Sequence, residues 1–152
     1  MAHKKETPRG YLSTVTGCYC PRCREGKLFQ HSLSISLKKN MKMHQYCPVC
    51  GQPTEIEVGF YYGTSYVSYT LTIFLSVFSF FAWWLTIGMS LEDDRFFYWI
   101  GFNAVFLILL QPWLMRLSRS LWISFFVKYD PNWKNNKPGN FERVVPEEMN
   151  NW

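Results

Sequence analysis

Two stretches without a single charged side chain constrain this chain more than anything else in it. Residues 59–91 hold no Lys, Arg, Asp or Glu over 33 positions, and residues 96–115 hold none over 20. A helix rising 1.5 Å per residue needs about 20 residues to cross a hydrocarbon layer of about 30 Å. A soluble core helix rarely stays charge-free for so long, so both runs are read as membrane spans, placed near residues 65–87 and 96–117. Tyr61, Tyr62, Tyr66 and Tyr69 suit the polar–apolar boundary at the start of the first span, while Trp99 and Trp113 mark the two ends of the second. Pro112 is expected to kink the last turn of that span.

Charge placement sets the expected orientation. The net charge of +5 would suit a nucleic-acid partner, but nine of the 16 Lys and Arg precede the first span (Lys4, Lys5, Arg9, Arg22, Arg24, Lys27, Lys38, Lys39 and Lys42), and Arg116 and Arg119 follow the second at once. The connection "SLEDDRFF" carries Glu92, Asp93 and Asp94 against Arg95 alone. Basic flanks stay on the cytoplasmic side, so both termini are expected there. Fifty-eight mostly polar residues precede the first apolar run, unlike a cleavable secretory leader, so the first span is expected to be retained.

The polar half carries the chemistry. Cys20-Pro21-Arg22-Cys23 and Cys47-Pro48-Val49-Cys50 repeat one "CPxC" pattern with 23 residues between the pairs. Each short turn can bring two sulfurs to one ion, and two facing turns complete a tetrahedron, so Cys20, Cys23, Cys47 and Cys50 are the expected ligands of a structural zinc. Cys18 is spare, since two residues before Cys20 it would be cramped on the same ion. His44 is a weaker substitute ligand. Neither pair has the histidine that c-type haem attachment needs, and a proline inside each pair suits knuckles better than a thioredoxin-like helix start. With four ligands used, the zinc keeps no open position, so no catalysis is expected there. The spans hold no acid, base or imidazole, and no small-molecule substrate or nucleic acid is expected.

Around this site the expected organisation is a polar segment at residues 1–16, a cytoplasmic zinc-ribbon-like module at 17–58, a transmembrane hairpin at 59–117, an interfacial or continuing helix at 118–130, and an extended cytoplasmic tail at 131–152. A module of about forty residues cannot bury enough apolar surface to fold comfortably without a metal, disulfides or a partner. In "HSLSISLK", Leu33, Ile35 and Leu37 alternate with serines, and in "TEIEVGFYY", Ile56 and Val58 alternate with Glu55 and Glu57. Both patterns predict short β-strands. Ser76 and Ser79, three apart in the first span, offer a hydroxyl edge to a neighbouring helix, with lipid-facing serines as the alternative.

The opening "CPRCREGKLF", the second "CPVCG", the glycine and aromatic approach "YYGTSYVSY", and "LSRSLW" with "KYDP" after the second span resemble the family known as domain of unknown function 983, over about residues 17–130. That resemblance implies a small protein of the bacterial inner membrane with a cysteine-bearing N-terminal module and two spans. It further implies an association with haem-copper cytochrome c oxidases. The expectation that follows is a non-catalytic accessory subunit of such a respiratory complex or its supercomplex, held in the lipid bilayer, with Trp133, Phe141 and Trp152 of the tail as partner anchors. An assembly factor or metallochaperone that uses the cysteines transiently is the alternative.

Overall fold

The computed structural model of the protein describes residues 9–34, 36–88, 94–139 and 147. Four α-helices organise it: α1 (Tyr11–Thr16), α2 (Leu37–Met41), α3 (Thr64–Ile87) and α4 (Arg95–Phe126), with a 3₁₀ turn, Phe60–Gly63, leading into α3. α3 and α4 lie side by side as a hairpin, and the remaining elements gather around the C-terminal half of α4.

α4 explains the shape. Its 32 residues span about 48 Å at 1.5 Å per residue, well beyond a hydrocarbon layer of about 30 Å. Its buried residues are Leu114, Arg116, Ser118, Arg119, Ser120 and Ile123, all past Trp113. The first nineteen positions of α4 therefore belong to the hairpin, and the rest is the central post of the polar head. The chain after the second span is a continuation of that span's helix, and Leu114 and Arg116, expected inside the span, sit in the head instead. Pro112 stays inside the helix.

The hairpin is poorly buried by protein. Only 6% of the most apolar window of the first candidate span is buried, and 11% of that of the second. A core helix of a soluble domain would be mostly buried, so the length, apolarity and exposure of these helices together mark a membrane-associated protein. Where α3 and α4 meet, Asn103 Nδ2 donates to Ser76 Oγ at 3.2 Å, Ser79 Oγ donates to Asn103 Oδ1 at 3.0 Å, and Trp99 Nε1 donates to Ser79 Oγ at 3.3 Å. Ser76 and Ser79 thus face the neighbouring helix.

The head has no β-strand among the described residues, which corrects the expected zinc-ribbon-like module with short β-strands. Pairing is confined to three isolated antiparallel bridges, Tyr19 with Lys27, Phe29 with Met43, and Tyr46 with Pro53. Leu33 and Leu37 are 56% and 58% exposed, so the alternation there marks no buried face. Ile35 lies outside the described residues, and Leu37 opens α2. The second expected strand is turns leading into the 3₁₀ segment. The reason is visible in the hydrogen bonds. At Ser32, inside the first alternating stretch, and at Asn40 and Met41 just beyond it, the backbone carbonyls are taken by side chains of α4: Arg116 Nε donates to Asn40 O at 3.0 Å, Arg116 Nη2 to Ser32 O at 2.9 Å, and Arg119 Nη1 to Met41 O at 3.1 Å. Asn40, fully buried, returns a bond from Nδ2 to Pro112 O at 2.8 Å.

The head's apolar core joins the cysteine loops to the post: Cys20, Cys23, Leu28, Phe29, Met43 and Cys47 pack with Phe60, Tyr61, Ile123 and Val127. Trp122 Nε1 donates to Phe60 O at 2.8 Å, tying α4 to the start of the first span. The segment expected to be an extended tail is described only to residue 139 and residue 147. Its first part is tied down, since Asp130 N donates to Arg22 O at 3.1 Å and Arg22 Nη2 donates to Asn136 O at 2.7 Å. Trp133 packs against the core, while Phe141 and Trp152 lie outside the described residues.

Candidate metal centre

Both CPxC segments fold into the same small turn. In the first, Arg24 N donates to Cys20 O at 2.8 Å; in the second, Gly51 N donates to Cys47 O at 2.9 Å. Each turn ends on a residue with positive φ, 60° at Arg24 and 69° at Gly51. Glycine adopts that conformation without penalty, whereas a side-chain-bearing residue is strained there by about 1–3 kcal/mol unless its surroundings hold it. Arg24 is held: its guanidinium carbon lies 4.0 Å from the centre of the Tyr129 ring and Nη1 donates to Arg9 O at 2.8 Å.

The two turns bring Cys20, Cys23, Cys47 and Cys50 together, with all four sulfurs within 4.8 Å of one another. Cys20 Sγ lies 3.7 Å from Cys50 Sγ, and Cys23 Sγ lies 3.8 Å from Cys47 Sγ. A tetrahedron built on Zn–S bonds of about 2.3 Å has edges of about 3.8 Å. Three of the four are essentially inaccessible, at 0%, 2% and 3% exposure for Cys20, Cys23 and Cys47. The set can hold a metal ion with no protein rearrangement beyond tenths of an ångström along those two edges. Neither Cys18 nor His44 belongs to it.

The electrostatics favour a cation at the centre. Hydrogen bonds from neighbouring thiols, first from Cys20, and from the Gly26 amide hold Cys23 well below the ordinary thiol range, and a hydrogen bond from Cys20 leads the causes that bring Cys47 down to about 7. Cys20, which donates to Cys23, Cys47 and Cys50, is pushed up. Four packed sulfurs share a few protons in this way, and a divalent cation replaces those protons while satisfying every sulfur. Cys18 behaves differently, with burial raising its thiol to about 11.

Several residues that build the site carry no signal in the cysteine spacing. Gly26 N points at Cys23 Sγ at 3.5 Å and Gly26 O accepts from Cys20 N at 2.7 Å; a Cβ at Gly26 would lie 2.4 Å from Cys47 Sγ. Arg22, 5% exposed, closes the outer side by reaching Cys50 O at 3.5 Å and Asp130 Oδ2 at 3.5 Å. Hydrogen bonds from Asn136 first, then the Asn132 amide and Arg22, hold the Asp130 carboxyl below the ordinary range.

Compared with family models, curated proteins and solved structures, the chain matches none. The resemblance to domain of unknown function 983 is therefore not upheld, and the strand-free head removes the zinc-ribbon likeness as well. The expected link to cytochrome c oxidase and the respiratory chain rested on that resemblance alone and falls with it. What stands on the chain's own structure is a four-cysteine cluster able to chelate a metal, set at the end of two apolar helices long enough to span a membrane.

Proposed function

We propose that this protein is a two-span membrane anchor whose cytoplasmic head is folded by a structural zinc ion on Cys20, Cys23, Cys47 and Cys50, and that its role is to present this head to another membrane protein without catalysing a reaction. The observation that carries the reading is a compact sulfur cluster, three of its four cysteines buried, built into the same core as α4: Cys20, Cys23 and Cys47 pack with Ile123 and Val127 at the end of that helix. Four thiolates fill a tetrahedral zinc, which leaves no position for a reacting water. The basic residues ahead of α3 and at Arg116 and Arg119 support a cytoplasmic head with both termini inside. Burial of the cluster weighs against transient metal transfer, which works through exposed sulfur, and Cys18 is not among the clustered thiols.

The test is metal analysis of the full chain purified in mild detergent, together with alkaline carbonate washing of the membranes that contain it. The reading expects about one zinc per chain, as a four-cysteine site takes one ion, and retention in the washed pellet. A metal-free yet folded protein sinks the zinc assignment, and release into the supernatant sinks the membrane assignment.

A further inference from the structure

At the junction of the head with the hairpin lies a cleft that the metal centre does not use. It has a volume of about 370 Å³ and is lined by Lys27, His31, Ser32, Leu33, Trp113 and Arg116, among others. Arg116 is the unusual member. It is 7% exposed, its guanidinium lies 4.7 Å from the centre of the Phe29 ring, and its two hydrogen bonds go to the neutral carbonyls of Asn40 and Ser32. A guanidinium carries five N–H donors, so three of its N–H groups, and its whole charge, lack a protein acceptor or carboxylate among the described residues. The guanidinium nitrogen that makes no hydrogen bond is not closed off by protein, so the free edge of Arg116 is open where it borders the cleft. Lys27 lines the same cleft and likewise has no carboxylate partner among the described residues.

The position of the cleft identifies its occupant. Trp113 is the last position of α4 before the buried residues of the head begin, and tryptophan settles at headgroup depth. Leu33, more than half exposed, adds an apolar edge to a cleft whose two cations are Lys27 and Arg116. A site that is cationic inside and apolar toward the bilayer matches one molecule with a phosphate at one end and acyl chains at the other. Planar, multidentate pairing with phosphate oxygens is what guanidinium does best, and the cytoplasmic leaflet is where anionic lipid is enriched.

We propose that Lys27 and Arg116 form a binding site for the phosphate of an anionic phospholipid of the cytoplasmic leaflet, with the acyl chains leaving past Trp113 and Leu33. The proposal rests on the membrane-spanning reading given above. Alkaline washing tests that reading, whereas the experiment here counts lipids on protein already purified in detergent, so the two can fail separately. The probe is native mass spectrometry of the full-length, zinc-containing protein after incubation with palmitoyl-oleoyl phosphatidylglycerol, with the phosphatidylcholine of the same chains, or with sodium phosphate. One phosphatidylglycerol retained per chain, in clear preference to phosphatidylcholine and undisturbed by equimolar phosphate, is the expected result. Lys27→Glu should lower retention by about fivefold or more, the worth of one basic residue near an anionic headgroup, with zinc content unchanged. The pair Lys38→Glu and Lys39→Glu, exposed on α2 and not part of the cleft lining, should leave retention intact. Arg116→Lys should weaken retention as well, and if it prevents folding, Lys27→Glu decides alone. Equal retention of the two lipids, or equal loss in the Lys38/Lys39 variant, overturns the site. Displacement of phosphatidylglycerol by equimolar phosphate overturns the lipid assignment in favour of a free-anion site.

Discussion

Single residues around the metal cluster differ sharply in how visible they are from sequence. The four ligands announce themselves because a CPxC turn is local, and everything that makes it a ligand pair lies within four residues. Gly26 does not, because its importance comes from a sulfur twenty-one positions away. Replacing its hydrogen by a methyl puts a Cβ 2.4 Å from Cys47 Sγ, and that sulfur cannot retreat without leaving the tetrahedron. Gly26→Ala is therefore expected to impair metal binding nearly as badly as Cys20→Ser, with zinc content falling well below one per chain. Cys18→Ser, by contrast, should keep full zinc, since that thiol stands outside the cluster. Metal analysis of the three variants checks the ranking; a fully loaded Gly26→Ala protein would show that the turn can move. Arg22 was equally hidden, because its partners, Asp130 and Asn136, come from the far end of the chain.

At the level of elements, the long helices were legible and the short ones were not. A charge-free run of 20 residues or more leaves few arrangements open, whereas alternation over six residues is weak evidence that any competing donor to the backbone carbonyls can override. Here Arg116 and Arg119 override it, capturing the backbone of residues 32, 40 and 41 from a helix more than seventy positions downstream. The hairpin contact offers a sharper test of element packing. Asn103 is the only Asn in the second apolar run, and it both donates to Ser76 and accepts from Ser79. Hydrogen bonds between membrane helices contribute on average about 0.6 kcal/mol and at most about 1.7. Asn103→Leu should destabilise the hairpin by about that amount, measured by denaturant unfolding in mixed micelles. Ser79→Ala added to it should cost less than it does alone, because the two residues share one network. Strict additivity would mean that the hydroxyl bonds its own helix and ignores its neighbour.

For the molecule as a whole, a small metal head on the end of a membrane span, as proposed above, means that α4 crosses two environments with separate sources of stability. Its first nineteen residues pack on α3 and, on that reading, depend on lipid for the rest. Its last thirteen depend on the cysteine loops, whose core contains three ligand sulfurs alongside Leu28, Phe29 and Met43. So little apolar material cannot by itself order a head of this size, whereas binding of a structural zinc can supply most of the folding free energy of a small metal domain. Removing the ion with a strong chelator in mild detergent should therefore melt one part of the chain and spare the other. Hydrogen exchange should rise by orders of magnitude in peptides covering residues 17–58 and 118–126, while residues 66–87 and 96–112 stay protected. Acid should act in the same direction. The four thiols split, Cys23 and Cys47 held below the ordinary range and Cys20 and Cys50 pushed above it, so acid acts on the head through the metal, which needs all four as thiolates. Protons that return to sulfur compete directly with the metal. Zinc release on lowering the pH from 8 should accordingly run in parallel with the loss of protection in the head. If exchange rose equally in the spans, the two halves of α4 would be one cooperative unit; if it rose nowhere, the metal would be incidental to the fold.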